Sequence, residues 1–351
     1  MLLEGLQLPL TTPFYPDGRL NLRKLEHNVA CYSKTPVAGM AVLSQFGEAA
    51  MLSDEETRQV LRTAIDVAMA QKVMLAGISR DSVVGTLDLA DEAATLDYDA
   101  VLVEPPSFLQ TGSDAQQTKE LLTYFQMIAD RSALPVLLSS TSTSLSSDVV
   151  IELAWHSRII GLVDSDGTPQ RMAGLKAGTV GVKHEVTVTS VFAAVTGRML
   201  AQQEPASEQA VLSADSLNAS GAAVAVVPSA AAIKTRTKAV GFQILTGRTA
   251  GMLDALSRGA VGAMPAFAAC APQACYEVFA AWKDGDRALA EEKQTRLQAV
   301  ADRVESELGI AGIKVGCDLN GYFGGLPRLP RLSLDGLQRQ EIETLMQGLR
   351  S

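Results

Sequence analysis

Eight short apolar runs recur along the chain, each followed by a polar turn and then an amphipathic stretch: Glu4–Thr11, Ala38–Ser44, Lys72–Ile78, Tyr98–Glu104, Pro135–Ser139, Arg158–Val163, Val240–Thr246 and Ala260–Met264. Their interiors lack the apolar–polar alternation of a strand with one wet face. Strands covered on both faces read as continuous apolar runs, so the pattern predicts a parallel sheet wrapped by helices. Eight such units predict an α/β fold, a (β/α)8 TIM barrel. The best-marked helix starts after Ser53, where Ser53 and Glu56 form a capping box and Val60, Leu61, Ala64, Ile65 and Ala68 make one apolar stripe.

Past the eighth run the period changes. Leu297, Val300, Ala301, Val304 and Leu308, then Ile342, Leu345, Met346 and Leu349, recur at helical spacing. The chain therefore divides into a barrel over residues 1–268 and a C-terminal helical domain over 269–351. Between the sixth and seventh runs it is too long for one helix. An insertion at about 178–238 is expected there, with an Ala-, Ser- and Gly-rich section at Gln203–Ala232. An excursion that follows the sixth helix leaves from the face opposite the loops that build barrel sites, which points to an interface or to no role, rather than to catalysis.

Composition narrows the function classes. With 351 residues, 47% hydrophobic and 20% charged, the chain can bury a large core. Thirty Lys and Arg against 39 Asp and Glu give a net charge of −9, which disfavours nucleic acid and anionic membrane surfaces as partners. Cys31, Cys270, Cys275 and Cys317 lack CxxC spacing and read as reduced thiols, so neither a metal nor a cofactor is expected. The first residues, MLLEGLQLPL, lack a basic segment, and the later apolar runs are short or broken by Pro228, Pro265 and Pro272. A cytoplasmic setting is the expectation.

Several segments carry a family resemblance. They are PLTTPFYPDGRLNL from Pro9, VLSQFGEAAMLSDEET from Val42, LAGISRDSV from Leu75, RIIGLVDSDGTPQRMAGLK from Arg158, the stretch Gly259–Gln273, and IKVGCDLNGYFGGLPRLPR from Ile313. Together they resemble the dihydrodipicolinate synthase and N-acetylneuraminate lyase family. The resemblance implies a barrel, a lyase or aldolase reaction on a 2-oxo acid through an imine with pyruvate, and a homo-oligomer.

The resemblance fails at the positions that carry this chemistry. Val163 stands where the imine lysine belongs, and an isopropyl group cannot attack a carbonyl. Ser139 replaces the relay tyrosine, while Gln45 and Phe46 replace the threonines that hold the substrate carboxylate, with Gly47 and Glu48 retained. Ser144 replaces an arginine, and Pro106 and Ser107 replace an aromatic pair. No catalytic residue is therefore assigned, and the expected function is a non-catalytic or repurposed barrel that binds a small carboxylate. The ligand-binding candidates are Arg248, Gly47, Glu48, Ser139, Ser140 and Asp164.

The alternative is a divergent lyase or aldolase that uses a relocated lysine or a metal ion. Lys183 is the first candidate amine, although it reads more simply as a surface lysine, and Lys314, in the helical region, is a poorer one. Glu48, Glu104, Asp164 and Asp166 could supply hard oxygen ligands, or they could be solvated or paired with Arg248. Arg248 follows Thr246 and Gly247 at the end of the seventh run. It could bind a carboxylate bidentately at the barrel mouth, or pair with Asp164 or Asp166. His27, His156 and His184 fall in unrelated elements and suggest no triad or zinc site.

Overall fold

The computed structural model describes residues 1–109, 115–140, 145–202 and 233–349. The eight expected strands close into a parallel barrel. They are β1 (Gly5–Pro9), β2 (Gly39–Val42), β3 (Val73–Gly77), β4 (Ala100–Val103), β5 (Val136–Ser140), β6 (Ile159–Asp164), β9 (Gln243–Thr246) and β10 (Gly262–Ala263). Around the barrel the order is β1-β10-β9-β6-β5-β4-β3-β2. Helices α1 (Leu22–Ser33), α2 (Asp54–Val67), α3 (Val83–Thr95), α4 (Ala115–Arg131), α5 (Ser147–Ala154), α6 (Pro169–Gly178) and α8 (Met252–Ser257) follow their strands.

Side-chain alternation divides the core in two. Ala41, Val73, Leu75, Ala100, Leu102, Leu137, Val163 and Leu245 face inward and pack together in the lumen. Their strand neighbours, among them Val42, Met74, Ala76, Val101, Val103, Leu138, Leu162 and Ile244, pack outward against the helices.

The insertion begins with an antiparallel hairpin that the run pattern did not separate. Strand β7 (His184–Thr189) pairs with β8 (Thr235–Val240), His184 opposite Val240 and Thr189 opposite Thr235. The short helix α7 (Gly197–Ala201) follows β7. Val186 and Val188 pack on Leu2. The Thr196 hydroxyl donates to the Ala70 carbonyl, and Arg198 donates to the Ala68 carbonyl at 3.3 Å and lies 3.4 Å from the Asp99 carboxylate. Those acceptors precede β3 and β4, so the hairpin and α7 lie under the N-terminal end of the barrel. The Ala-, Ser- and Gly-rich section expected at Gln203–Ala232 falls outside the described residues.

After β10 come α9 (Pro272–Lys283), α10 (Arg287–Ala301), a π-helical turn at Asp302–Glu307, α11 (Gly309–Leu319) and α12 (Gly336–Met346). This segment is tied back to the C-terminal end of the barrel. The Glu305 carboxylate accepts from the Thr249 hydroxyl and from the Phe267 N–H. Arg328 donates to both oxygens of Glu56, to the carbonyls of Gly18 and Met51, and lies 4.6 Å from the Phe14 ring centroid. Among the described residues no helix is long and apolar enough to cross a membrane.

Candidate functional site

The C-terminal mouth of the lumen is assembled from the inward positions at the strand ends. On β5 and β6, Ser139 and Val163 sit side by side in register, and Leu245 on β9 is the next partner of Val163. Val163 is only 2% exposed and packs in the lumen cluster with Leu137, Leu245 and Met264. The inward face of β6 thus ends in an aliphatic side chain.

The next group is an acid. On β4, Ala100 and Leu102 face inward, so alternation places Glu104, one residue past the strand, on the inward side as well. Its N–H donates to the Ser79 hydroxyl at 2.8 Å. Its carboxyl accepts from the backbone N–H of Gln45, and burial raises its pKa above the ordinary carboxylate value. The neighbouring strand makes that contact possible: a Cβ at Gly77 would stand 2.0 Å from the Leu43 carbonyl oxygen. Glycine there lets the end of β2 lean across β3, and Leu43, at φ 59°, turns the chain. Gln45 then reaches β4.

Glu48 and Lys314 form a buried pair that no spacing rule connects. Glu48 adopts a left-handed conformation at φ 54°. Its Oε2 lies 2.5 Å from Lys314 Nζ, and its Oε1 accepts from the Arg328 N–H at 2.9 Å. Lys314, on α11, is fully buried. It also donates to the carbonyls of Thr12 at 2.9 Å and Leu326 at 3.0 Å, with the Phe14 ring centroid 4.5 Å from Nζ. Burial pulls the ammonium pKa below its usual value, and the Glu48 charge opposes that shift. Three acceptors occupy the three donors of an ammonium, which leaves no free lone pair for nucleophilic attack.

Other candidates are also taken up by the scaffold. Asp164, on β6, faces outward and receives the Arg171 guanidinium of α6 at 2.9 Å, with Asp166 3.8 Å from the same nitrogen. Neither acid pairs with Arg248, and Asp164 does not join the lumen as a ligand group. The Gly47 carbonyl accepts the Thr12 hydroxyl at 2.6 Å, so this loop too is held by β1. Gln45 is exposed, and Phe46 packs part-buried against the outer core. Ser140 is buried, and its carbonyl receives the Ser165 N–H. The Ser107 hydroxyl donates to Asp81 at 2.7 Å, and Ser144 falls outside the described residues.

The proposed metal ligands are dispersed. Glu48 pairs with Lys314, and Asp164 and Asp166 pair with Arg171, while Glu104 stands apart at the lumen. Among the described residues no group of three His, Cys, Asp or Glu could hold a metal ion. Lys183 is exposed just before β7, at the opposite end of the barrel. Arg248 is exposed and lines a cavity of about 270 Å³ with Gly167, Thr246 and Gln298. This cavity is bounded by the loop after β6 and by α10, not by Val163 or Ser139. Among the described residues no carboxylate lies within ion-pair distance of Arg248.

Comparison with known proteins agrees with the fold. The model of the Dihydrodipicolinate synthetase family matches residues 2–186 and 218–349. Over 181 residues, half of this chain and 58% of the relative, the sequence is 32% identical to a 4-hydroxy-tetrahydrodipicolinate synthase of Xanthomonas campestris pv. campestris. An L-threo-3-deoxy-hexylosonate aldolase of Hypocrea jecorina is 25% identical over 360 residues, covering 99% of this chain and 95% of the relative. Among solved structures, YagE of E. coli K12, a prophage protein of the dihydrodipicolinic acid synthase family in complex with pyruvate, superposes with a TM-score of 0.76 at 22% identity. That superposition covers 99% of each chain.

Proposed function

Because the chain belongs to the dihydrodipicolinate synthetase family, we propose that it is a barrel of lyase and aldolase ancestry that has left imine chemistry and holds a small carboxylate ligand. One observation carries this reading. Val163 occupies the inward position at the end of β6, packed among aliphatic side chains. A Schiff-base lysine needs a desolvated site in which its neutral amine is populated and free to attack. Lys314 is desolvated but fully engaged, and Lys183 is free but solvated. No observation favours either as a replacement. Ser139, with a hydroxyl in place of a phenol, cannot serve as the proton relay of the family reaction.

Incubation with pyruvate and borohydride is expected to leave the intact mass of the protein unchanged. A stable adduct mapped to Lys183 or Lys314 would sink the proposal.

The carboxylate itself is assigned to Arg248, an exposed guanidinium that has no ion-pair partner among the described residues and lines a cavity next to the mouth. If Arg248 holds the ligand by a charge-assisted pair, Arg248→Ala should weaken binding by about 1.5–3 kcal/mol. Its melting temperature should stay close to that of the parent, because the side chain is exposed and makes no ion pair among the described residues. Calorimetric titration with pyruvate tests this, and unchanged affinity in the alanine variant removes the assignment.

A further inference from the structure

We infer that Glu104 selects the group admitted at the barrel mouth, favouring a ligand that presents a hydroxyl or an ammonium there and turning away a carboxylate. The inference rests on the reading above in one respect, that the barrel binds a small ligand without imine chemistry, and it adds a second contact point at the mouth, apart from the Arg248 cavity.

Four observations support the assignment. Glu104 continues the inward series of Ala100 and Leu102, so its carboxyl belongs to the lumen. The backbone is anchored by the Ser79 hydroxyl. One partner of the carboxyl is the Gln45 N–H, brought within reach because Gly77 lets the Leu43 carbonyl cross above it. Among the described residues no Lys or Arg lies within ion-pair distance of Glu104; Lys314, the buried cation of this end of the barrel, is committed to Glu48.

A carboxyl has more acceptor capacity than one backbone N–H consumes. Leu102 and Val163 belong to the aliphatic cluster that fills the lumen onto which this strand end opens. In that setting of low polarity, a second negative charge is repelled more strongly than it would be in water, whereas a hydrogen-bond donor or a cation is attracted. The Ser139 hydroxyl, which both donates and accepts, is compatible with either ligand and does not offset the preference.

Pyruvate and hydroxyacetone share a methyl ketone and differ in a carboxylate against a hydroxymethyl group, which makes them a matched pair of probes. The titration is performed on the full chain carrying Arg248→Ala, so that a carboxylate held at Arg248 does not register. In that background hydroxyacetone should bind at least about tenfold tighter than pyruvate, the size expected for a like-charge contact in a partly desolvated site. Adding Glu104→Gln, which keeps an acceptor for the Gln45 N–H, should raise pyruvate affinity about tenfold or more. Hydroxyacetone affinity should change less than about threefold, since its hydroxyl can bond to the amide as well.

An unchanged ratio between the two probes after Glu104→Gln overturns the inference. So does pyruvate binding as tight as hydroxyacetone binding while Glu104 is present, and so does a failure of both proteins to bind either probe. A borohydride-trapped imine would instead overturn the loss of imine chemistry and leave the ratio untouched, so the two readings fail separately.

Discussion

Lys314→Met is expected to cost the fold about 3–5 kcal/mol, because it removes one member of a buried ion pair and strands the other. In the native protein Glu48 Oε2 lies 2.5 Å from Lys314 Nζ, with both side chains fully excluded from solvent. The lysine also satisfies the carbonyls of Thr12 and Leu326, which join β1 to the segment after α11. Methionine approximates its length and would fill the space over Phe14, so the loss reports the charge and the hydrogen bonds more than a cavity. Glu48 keeps the Arg328 N–H, which places the cost within that range rather than above it.

The double variant Lys314→Met with Glu48→Gln should recover a large part of the loss, since no uncompensated charge remains buried. Urea titrations of the two variants and the parent measure both effects. A single-variant loss below about 1 kcal/mol would mean that the pair is solvated in solution, contrary to the packing described here.

The same pair illustrates what one sequence conceals. A charged residue in a helical pattern ordinarily reads as solvent-facing, and Lys314 lies in GIAGIKVGCDL, which has no polar face to contrast with an apolar one. All residues from Ile310 to Cys317 are buried, so α11 shows no helical periodicity of apolar and polar positions. Its glycines serve close approach: a Cβ at Gly312 would lie 2.5 Å from the Val304 carbonyl, and one at Gly316 would lie 3.0 Å from Cys270 Sγ. Glu48, the partner of Lys314, belongs to another domain-scale segment, and no spacing rule links the two.

The barrel was legible for the converse reason. Parallel strands buried on both faces are runs of Val, Leu, Ile and Ala, and that pattern reflects packing rather than site chemistry. The hairpin is illegible because its strands are mostly polar and exposed: β8 reads TRTKAV, and only its last residue, Val240, falls within the apolar run Val240–Thr246. Glu104 was visible as a candidate metal ligand, but its isolation from Glu48 and Asp164 depends on their partners across the fold. Arg171, which takes Asp164, carried no sequence signal beyond its place in an amphipathic helix.

Val163→Lys combined with Ser139→Tyr is expected to yield no turnover of pyruvate with aspartate semialdehyde. The substitution would place an amine among Leu137, Leu245 and Met264, where desolvation costs several kcal/mol or drives the pKa down until the amine is neutral. A neutral amine is the nucleophilic form, so the lysine alone is not what prevents the reaction. Tyrosine at position 139 must fit beside it in a mouth built for serine, and overpacking of that kind typically costs about 1–3 kcal/mol.

Even with both groups accommodated, the carboxylate of pyruvate would meet a loop whose Gln45 N–H already serves Glu104. Binding energy is needed to hold the carbonyl in line with the amine, and without a carboxylate anchor that orientation is lost. The double variant should therefore fold with reduced stability, read as a lower urea midpoint, and form no condensation product. Measurable product formation would show that the mouth still holds a 2-oxo acid in a reactive pose and that Val163 alone had silenced it.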